Sequence, residues 1–452
     1  MVTSSENIST AISGNTLSVY LNTFRPNTQI YFQIRLNNPK PINVVNGDST
    51  LNVPAEGSFN LSVNSGKVLA QKDVDTPVKT LQLLNNSVST FIKIYPTPSN
   101  FPKVSFSGDT SLVNSKMILS TPVMPNGSYA LATTGTNINF FVYSPNNLMG
   151  FRRVSDASAD PVAGGTPMYQ YLEQKDFSVT ATSPGIWRYL DSAFNVVSRL
   201  NEISLKSGIY YSDGHGATVS QTGNSVVLIP VKRIVDSSWL QRSYKLPILD
   251  CTIAEVQNGK AIREWSMWDW AVANKSTSEP LLDKMPLFND PQNPTTSPID
   301  VCHANSIQYY KPLNVYLVSL RSPSIIVILD SKLQSVRSVL PTDNTLQHFA
   351  RFTSNNEITA LGNNTLGKNS KFLDFTLQSG KWVLKEYDFP YLVSYCGNTN
   401  YLDSTHIWLA GGCGPYKAST LGSVFKINGS NLSEVGEVEM QNFTYSYRAD
   451  VM

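Results

Sequence analysis

Short runs of alternating apolar and polar residues fill the chain, separated by clusters of Gly, Pro, Asn and Asp. Period-two alternation over five or six positions predicts half-buried strands rather than helices. From residue 14 to about 105 the runs include Leu17–Leu21 and Gln29–Ile34. Turn clusters such as Pro39-Lys-Pro41 and Asn46-Gly-Asp48 separate them. This texture predicts a small immunoglobulin-like β-sandwich over residues 1–105. Tyr95-Pro-Thr-Pro-Ser-Asn-Phe-Pro102 holds three prolines in eight residues and marks a domain boundary.

Beyond the boundary the pattern becomes a loose repeat. A strand ending in Asp, or a close substitute, meets a tight turn and an outgoing strand. Examples are Trp187-Arg-Tyr-Leu-Asp191 before Val196–Leu200, and Ile326-Val-Ile-Leu-Asp330 before Val336–Leu340. Phe372-Leu-Asp-Phe before Lys381–Tyr387, and Val424-Phe-Lys-Ile-Asn428 before Val435–Met440, continue it. Asp330 to Asp374 is 44 residues and Asp374 to Asn428 is 54. Such spacing suits four-stranded propeller blades. Residues 106–452 then hold six blades at roughly 45–60 residues each. The expected fold is all-β, an N-terminal sandwich followed by a six-bladed β-propeller. One helix is predicted, over 263–274, leading into an irregular loop over 279–298 that is either a lid or a surface excursion.

Composition agrees with many strands and tight turns. Charged residues are 15% of the 452, aromatics 10%, and Gly and Pro number 26 each. A net charge of +2 offers no basic stripe for nucleic acid. The longest purely apolar stretch, Ile325–Leu329, is too short to span a membrane. Met1 to Thr10 lack the apolar core of a signal peptide, as a mature form started with a new Met would. Four cysteines could form two bridges, and Cys396–Cys413 is the favoured pair because strand, turn and Gly-rich turn alternate between them.

The four histidines carry the most information. His215 lies in Asp213-Gly-His-Gly-Ala-Thr218, ahead of the strand Val226–Pro230. His303 lies in Asp300-Val-Cys-His-Ala-Asn-Ser306, ahead of Ile307–Tyr310. His348 lies in Thr345-Leu-Gln-His-Phe-Ala-Arg351, also at a strand entry. Equivalent positions on different blades converge on the propeller axis, so three imidazoles at one phase point to a shared site. His406 sits within a strand pattern and reads as structural. Arg321, at the end of the strand after His303, could clamp an oxyanion through two parallel N–H donors. Asn305, two residues after His303, would point to the same side of an extended chain and add a donor.

These residues carry a family resemblance. Asp300-x-x-His-Ala-Asn-Ser-Ile-Gln-Tyr, Leu317-Val-Ser-Leu-Arg-Ser-Pro-Ser-Ile-Ile-Val-Ile-Leu-Asp330 and Gln347-His-Phe-Ala-Arg351 resemble the core motifs of the bacterial arylsulfate sulfotransferases. Ile186-Trp-Arg-Tyr-Leu-Asp191 and Glu264-Trp-Ser-Met-Trp-Asp269 are also similar. The resemblance runs discontinuously from about residue 110 to the end. It implies a periplasmic or secreted propeller enzyme with no bound cofactor and no nucleotide sulfate donor. Such an enzyme moves a sulfuryl group from a phenolic sulfate ester to a phenolic acceptor by a ping-pong route. It also implies that His348 is the transiently sulfated nucleophile and that His215, His303, Asn305 and Arg321 line the pocket. Its partners would be the aryl sulfate and the phenol, with no nucleic acid, no membrane span, and room for a homodimer.

Two other classes fit the same residues. One is a hydrolase with His215, His303 and His348 on a metal ion, which leaves Arg321 beside a cation. The other is an inactive propeller that binds a protein or glycan through its top face. Gly362-Asn-Asn-Thr-Leu-Gly-Lys-Asn369 nearly matches a phosphate-binding loop, but Asn369 stands where Ser or Thr is required.

Overall fold

The computed structural model describes residues 1–85, 88–154, 168–174, 184–236, 245–274, 298–342, 345–363, 369–393, 396–411, 419–441 and 444–452. Residues before 96 build two sheets. One pairs Val2–Ser4, Gln29–Arg35 and Ser58–Asn64. The other runs, in spatial order, Ile8–Ser13, Thr16–Leu21, Val88–Tyr95, Lys79–Asn85, Ile42–Asn46 and Ser49–Val53. The strand Gln29–Arg35 alternates strictly, with Ile30, Phe32 and Ile34 buried. These three meet Val19, Leu21, Val44, Leu81 and Ile92 of the other sheet in one core. Thr23–Phe24 and Leu69–Ala70 leave this sandwich and pair with Asn137–Ser144 beyond it.

The rest is a β-propeller. Six antiparallel four-strand sets can be traced through the strand pairings of the described residues, several of them joined at their edges into larger sheets. Blade 1 combines the C-terminal strand Tyr445–Val451 with three strands between Met117 and Ser144, so the chain's end closes the ring. Blades 2 to 6 begin with the inner strands Leu148–Arg153, Ala217–Val219, Ala304–Tyr310, His348–Ser354 and Asn398–Tyr401. The core is divided into six apolar layers, one between each pair of consecutive blades. Trp187, Tyr189, Val227 and Ala254 fill the space between blades 2 and 3. Trp408, Val424, Tyr129 and Phe141 fill that between blades 6 and 1. The blades stay upright because each is wedged by its neighbours, and the axis is left to polar side chains.

Several local expectations are corrected. The helix is Met267–Ala273 only; Arg263–Ser266 belong to the strand Lys260–Ser266. Ser266 accepts from the Asp269 N–H and so caps the helix at the point where the strand stops. Asp374 lies inside Lys371–Gln378, and Gln378 holds the turn position. From Asp330 to Gln378 is then 48 residues and from Gln378 to Asn428 is 50, more even than the sequence spacing. His215 precedes the inner strand Ala217–Val219, and the strand expected after it, Ser225–Asp236, is second in the blade.

Cys251 and Cys302 are bridged. Cys396 is also disulfide-bonded, while Cys413 lies outside the described residues, as does the 279–297 loop. No helix among the described residues is long and apolar enough to cross a membrane.

Candidate active site

The inner strands of blades 3, 4 and 5 each bring a histidine to the axis at the strand entry. Their backbone is irregular there. His303 and Phe349 have φ of +43° and +57°, unusual for side chains of this bulk. Strand pairing slips between Ala304 and Ser306 and again between His348 and Arg351. A bulge of this kind re-aims the neighbouring side chains toward the channel.

Asp213 and Asp300 orient the first two rings. Asp213 accepts from the His215 N–H at 3.2 Å and contacts its Nδ1 at 2.6 Å. Asp300 does the same for His303, at 2.8 and 2.6 Å. Burial pushes the Asp213 carboxyl up, but the charge and hydrogen bonds of His215 outweigh it and hold the group below the usual carboxylate range. An ionised carboxylate only accepts, so Nδ1 carries the proton and Nε2 faces outward. The two imidazoles stand edge to face with centroids 5.0 Å apart, and Tyr447 lies 5.3 Å from His215.

His348 is held differently. Its Nδ1 meets Asn363 Oδ1 at 2.5 Å. The Asn363 amide nitrogen donates to the carbonyls of Val393 and Cys396, both at 2.8 Å. Those two carbonyls fix the amide's orientation, so Oδ1 must be the acceptor toward His348. Nδ1 of His348 is therefore protonated and Nε2 keeps its lone pair. Burial lowers the His348 pKa well below the ordinary imidazole value, and the nearby charges of Arg321, His303 and Arg448 depress it further. The ring is neutral at neutral pH.

Arg321 stands just after Val315–Leu320, and its N–H donates to the His303 carbonyl at 3.1 Å. Asn305 is fully buried: its amide donates to the Gln347 carbonyl at 2.7 Å and accepts from the Phe349 N–H at 3.3 Å. The alternation that would put Asn305 beside His303 is broken by the bulge, and the amide instead grips the backbone on both sides of His348. Gln347, also fully buried, ties that segment to Leu320 and Ile325.

Four site residues lacked a role in the sequence reading. Asp213 and Asp300 were legible in principle, since an Asp two or three positions before a His can cap both backbone and ring. The same turn joins Asp403 to His406 away from the axis, so the motif alone does not mark a site. Asn363 is 15 residues from His348 and carries no local signal. Arg448 lies on the closing strand. Its guanidinium donates to the carbonyls of His215, at 3.0 Å, and of Asn305. It also stacks over Phe349 and Tyr447, with 4.4 and 4.6 Å to the ring centroids. Leu228, Ile229, Pro230 and Leu249 give the pocket beside Asp213, Asp300 and His303 an apolar wall. Among the described residues no three His, Cys, Asp or Glu side chains are grouped to hold a metal ion.

No family model and no curated protein sequence matches the chain. Solved structures do. A 6-phosphogluconolactonase-like protein from Bacteroides uniformis aligns over 92% of this chain and all of its own, with 9% identity and a TM-score of 0.38. A virginiamycin B lyase from Staphylococcus aureus with quinupristin aligns over 75% of this chain and 99% of its own, with 10% identity and a TM-score of 0.32. A dihydro-heme d1 dehydrogenase covers 89% of this chain and 67% of its own, at 9% identity and 0.34. Likeness this distant carries no argument about activity.

Proposed function

We propose that the axial site transfers a sulfuryl group between phenols through a covalent intermediate on His348. The observation that supports it most is the neutral His348 ring, with its lone pair fixed on Nε2 by Asn363 and with Arg321 and His303 beside it. In the first half-reaction Nε2 attacks the sulfur of an aryl sulfate. An N–S bond forms as the ester S–O bond breaks, and the phenolate leaves with both electrons. The outward Nε2–H of protonated His303 or His215 gives the phenolate a proton. In the second half-reaction the acceptor's hydroxyl loses its proton to the same imidazole and attacks sulfur, and the N–S bond breaks. Each proton transfer contributes about 10²–10⁴-fold in rate.

Arg321 is the residue suited to the sulfuryl oxygens. Arg448 fixes the carbonyls that follow His215 and Asn305, and Asn305 holds the His348 backbone. The apolar wall near His303 suits an aromatic ring. One arrangement speaks against a three-histidine metal centre: His348 lies among the charges of Arg321, His303 and Arg448, which a metal cation would join at a cost.

The test is incubation with 4-nitrophenyl sulfate, with and without added phenol. Nitrophenol release that depends on the acceptor, and falls about 10³-fold or more in His348→Asn, is the expected result. Release into water alone would identify a sulfatase. Release unaffected by the substitution would refute His348 as nucleophile, and no release with any aryl sulfate would leave a binding propeller.

A further inference from the structure

A second cavity lies on the same axis, away from the histidine entries. Its walls are Ala217 and Thr218, Ser306 to Gln308, Phe349 to Arg351, and Arg152 to Val154. The first three segments lie one to five residues after His215, His303 and His348, and Arg152 to Val154 stand at the end of the inner strand of blade 2. At about 3.3 Å per residue they form a deeper level of the channel. Phe349 and the Arg448 guanidinium stacked on it separate the two levels.

Its lining is cationic. Arg152, Arg153 and Arg351 line it and none of its lining residues is Asp or Glu, though Asp450 lies 3.9 Å from the Arg351 guanidinium. Arg152 reaches across blades to the carbonyls of Ala217 and Ile307, which anchors its guanidinium in the channel. Phe349 lies under the Arg351 guanidinium at 4.7 Å. Two buried donors in this wall have no acceptor: Nε of Arg153, and the hydroxyl of Ser306, a residue only 2% exposed. Buried polar groups are ordinarily satisfied, and an orphaned donor marks the place of an absent partner. Orphaned donors beside guanidinium groups call for an acceptor that is small, negatively charged and able to take several hydrogen bonds.

We propose that this deeper cavity binds a small oxyanion of the sulfate or phosphate class, held by Arg152, Arg153, Arg351 and the Ser306 hydroxyl. The site is independent of the histidines above it, and no residue assigned to sulfuryl transfer contributes a ligand.

Isothermal titration calorimetry with sodium sulfate, and separately with sodium phosphate, tests it at constant ionic strength against a chloride background. Sulfate also stabilises proteins by exclusion from their surface, so the criterion is a saturable heat at millimolar concentration or below. The expected result is one such site, weakened about 10- to 100-fold in Arg153→Gln and in Ser306→Ala. It should be unchanged in His348→Asn, while nitrophenol release stays intact in both cavity variants. Ser306→Ala is the gentler change and decides the matter if Arg153→Gln does not fold. A heat abolished by His348→Asn would place the anion among the histidines and overturn the proposal. So would a heat insensitive to both cavity variants, an equal response to chloride, or no saturable heat.

Discussion

At the scale of single residues, the site depends on a histidine that stays neutral where an exposed one would begin to charge. An imidazole in the unfolded chain titrates near 6.5; burial and three cationic neighbours hold His348 well below that in the fold. Below about pH 6.5 the unfolded chain takes up a proton that the folded chain refuses. The His348 contribution to stability is therefore complete above that pH and erodes as pH falls through it and on toward the folded value. Asp250 acts in the opposite sense: burial pushes it up to about 6, against the hydrogen bonds from Ser266 and Trp268 and the charge of Arg233. Its contribution is present in acid and fades as pH rises through 6. A comparison of wild type with His348→Gln separates the two. Between pH 7.5 and 5.5 the unfolding free energy from urea titration should fall further in the wild type, by about 1.4 kcal/mol for each pH unit below 6.5. Equal falls would mean that His348 charges freely in the folded protein, and the neutral nucleophile would be lost. The histidines and Arg321 were legible in the sequence because imidazoles are scarce and recur at one phase. Arg448 was not, because only the ring closure brings it to the axis, and Asn363 was not, because it lies past the end of the neighbouring strand Glu357–Gly362 with no local signal to mark it.

At the scale of elements, the outer hairpins were the most readable part of the chain. Asp191 and Asp330 each accept from two backbone N–H groups of the following turn, and an Asp between two β-branched runs announces that geometry. Asp374 broke the rule because it sits mid-strand, where it meets Tyr401 rather than a turn. The inner strands were read less well, since bulges and positive φ values displace the alternation on which sequence reading depends. Gly422 shows how tightly the third strand of blade 6 governs the second. A Cβ there would stand 2.2 Å from the Trp408 ring and 2.9 Å from the Leu409 carbonyl. Trp408 is fully buried, and its Nε1–H donates to the Ala449 carbonyl at 2.7 Å, next to Arg448. Gly422→Ala should therefore cost about 1–3 kcal/mol through overpacking, read as a lower urea midpoint. The displaced ring should also loosen the closing strand, lowering the proposed sulfuryl transfer in the fraction that remains folded. An unchanged midpoint would show that Trp408 has room to shift.

At the scale of the whole molecule, a ring of blades must be held shut, and two devices do it. One is the closing strand, which puts residues 445–451 beside 118–123 and was invisible as a contact in the linear chain. The other is the Cys251–Cys302 bridge, which spans 51 residues. Cys251 lies in the third strand of blade 3, and Cys302 immediately precedes His303 at the entry to blade 4. Between them, Ile299–Asp300 runs parallel to Ile248–Leu249. The crossing from one blade to the next is thus pinned beside the Asp300–His303 pair. Closing a loop of this length stabilises by about 4 kcal/mol in the chain-entropy picture. Removal of both sulfurs as Cys251→Ala with Cys302→Ala avoids a lone thiol and leaves the second bridge, at Cys396, untouched. The pair should lower the unfolding free energy from urea titration by up to that amount. If the bridge also positions His303, the kcat for the proposed sulfuryl transfer should fall about ten-fold or more at temperatures where the protein is fully folded, with the folded-state circular dichroism unchanged. Lost stability with full kcat would reduce the bridge to a staple, and unchanged stability would mean that the parallel pairing and the apolar layer between blades 3 and 4 hold the crossing without it.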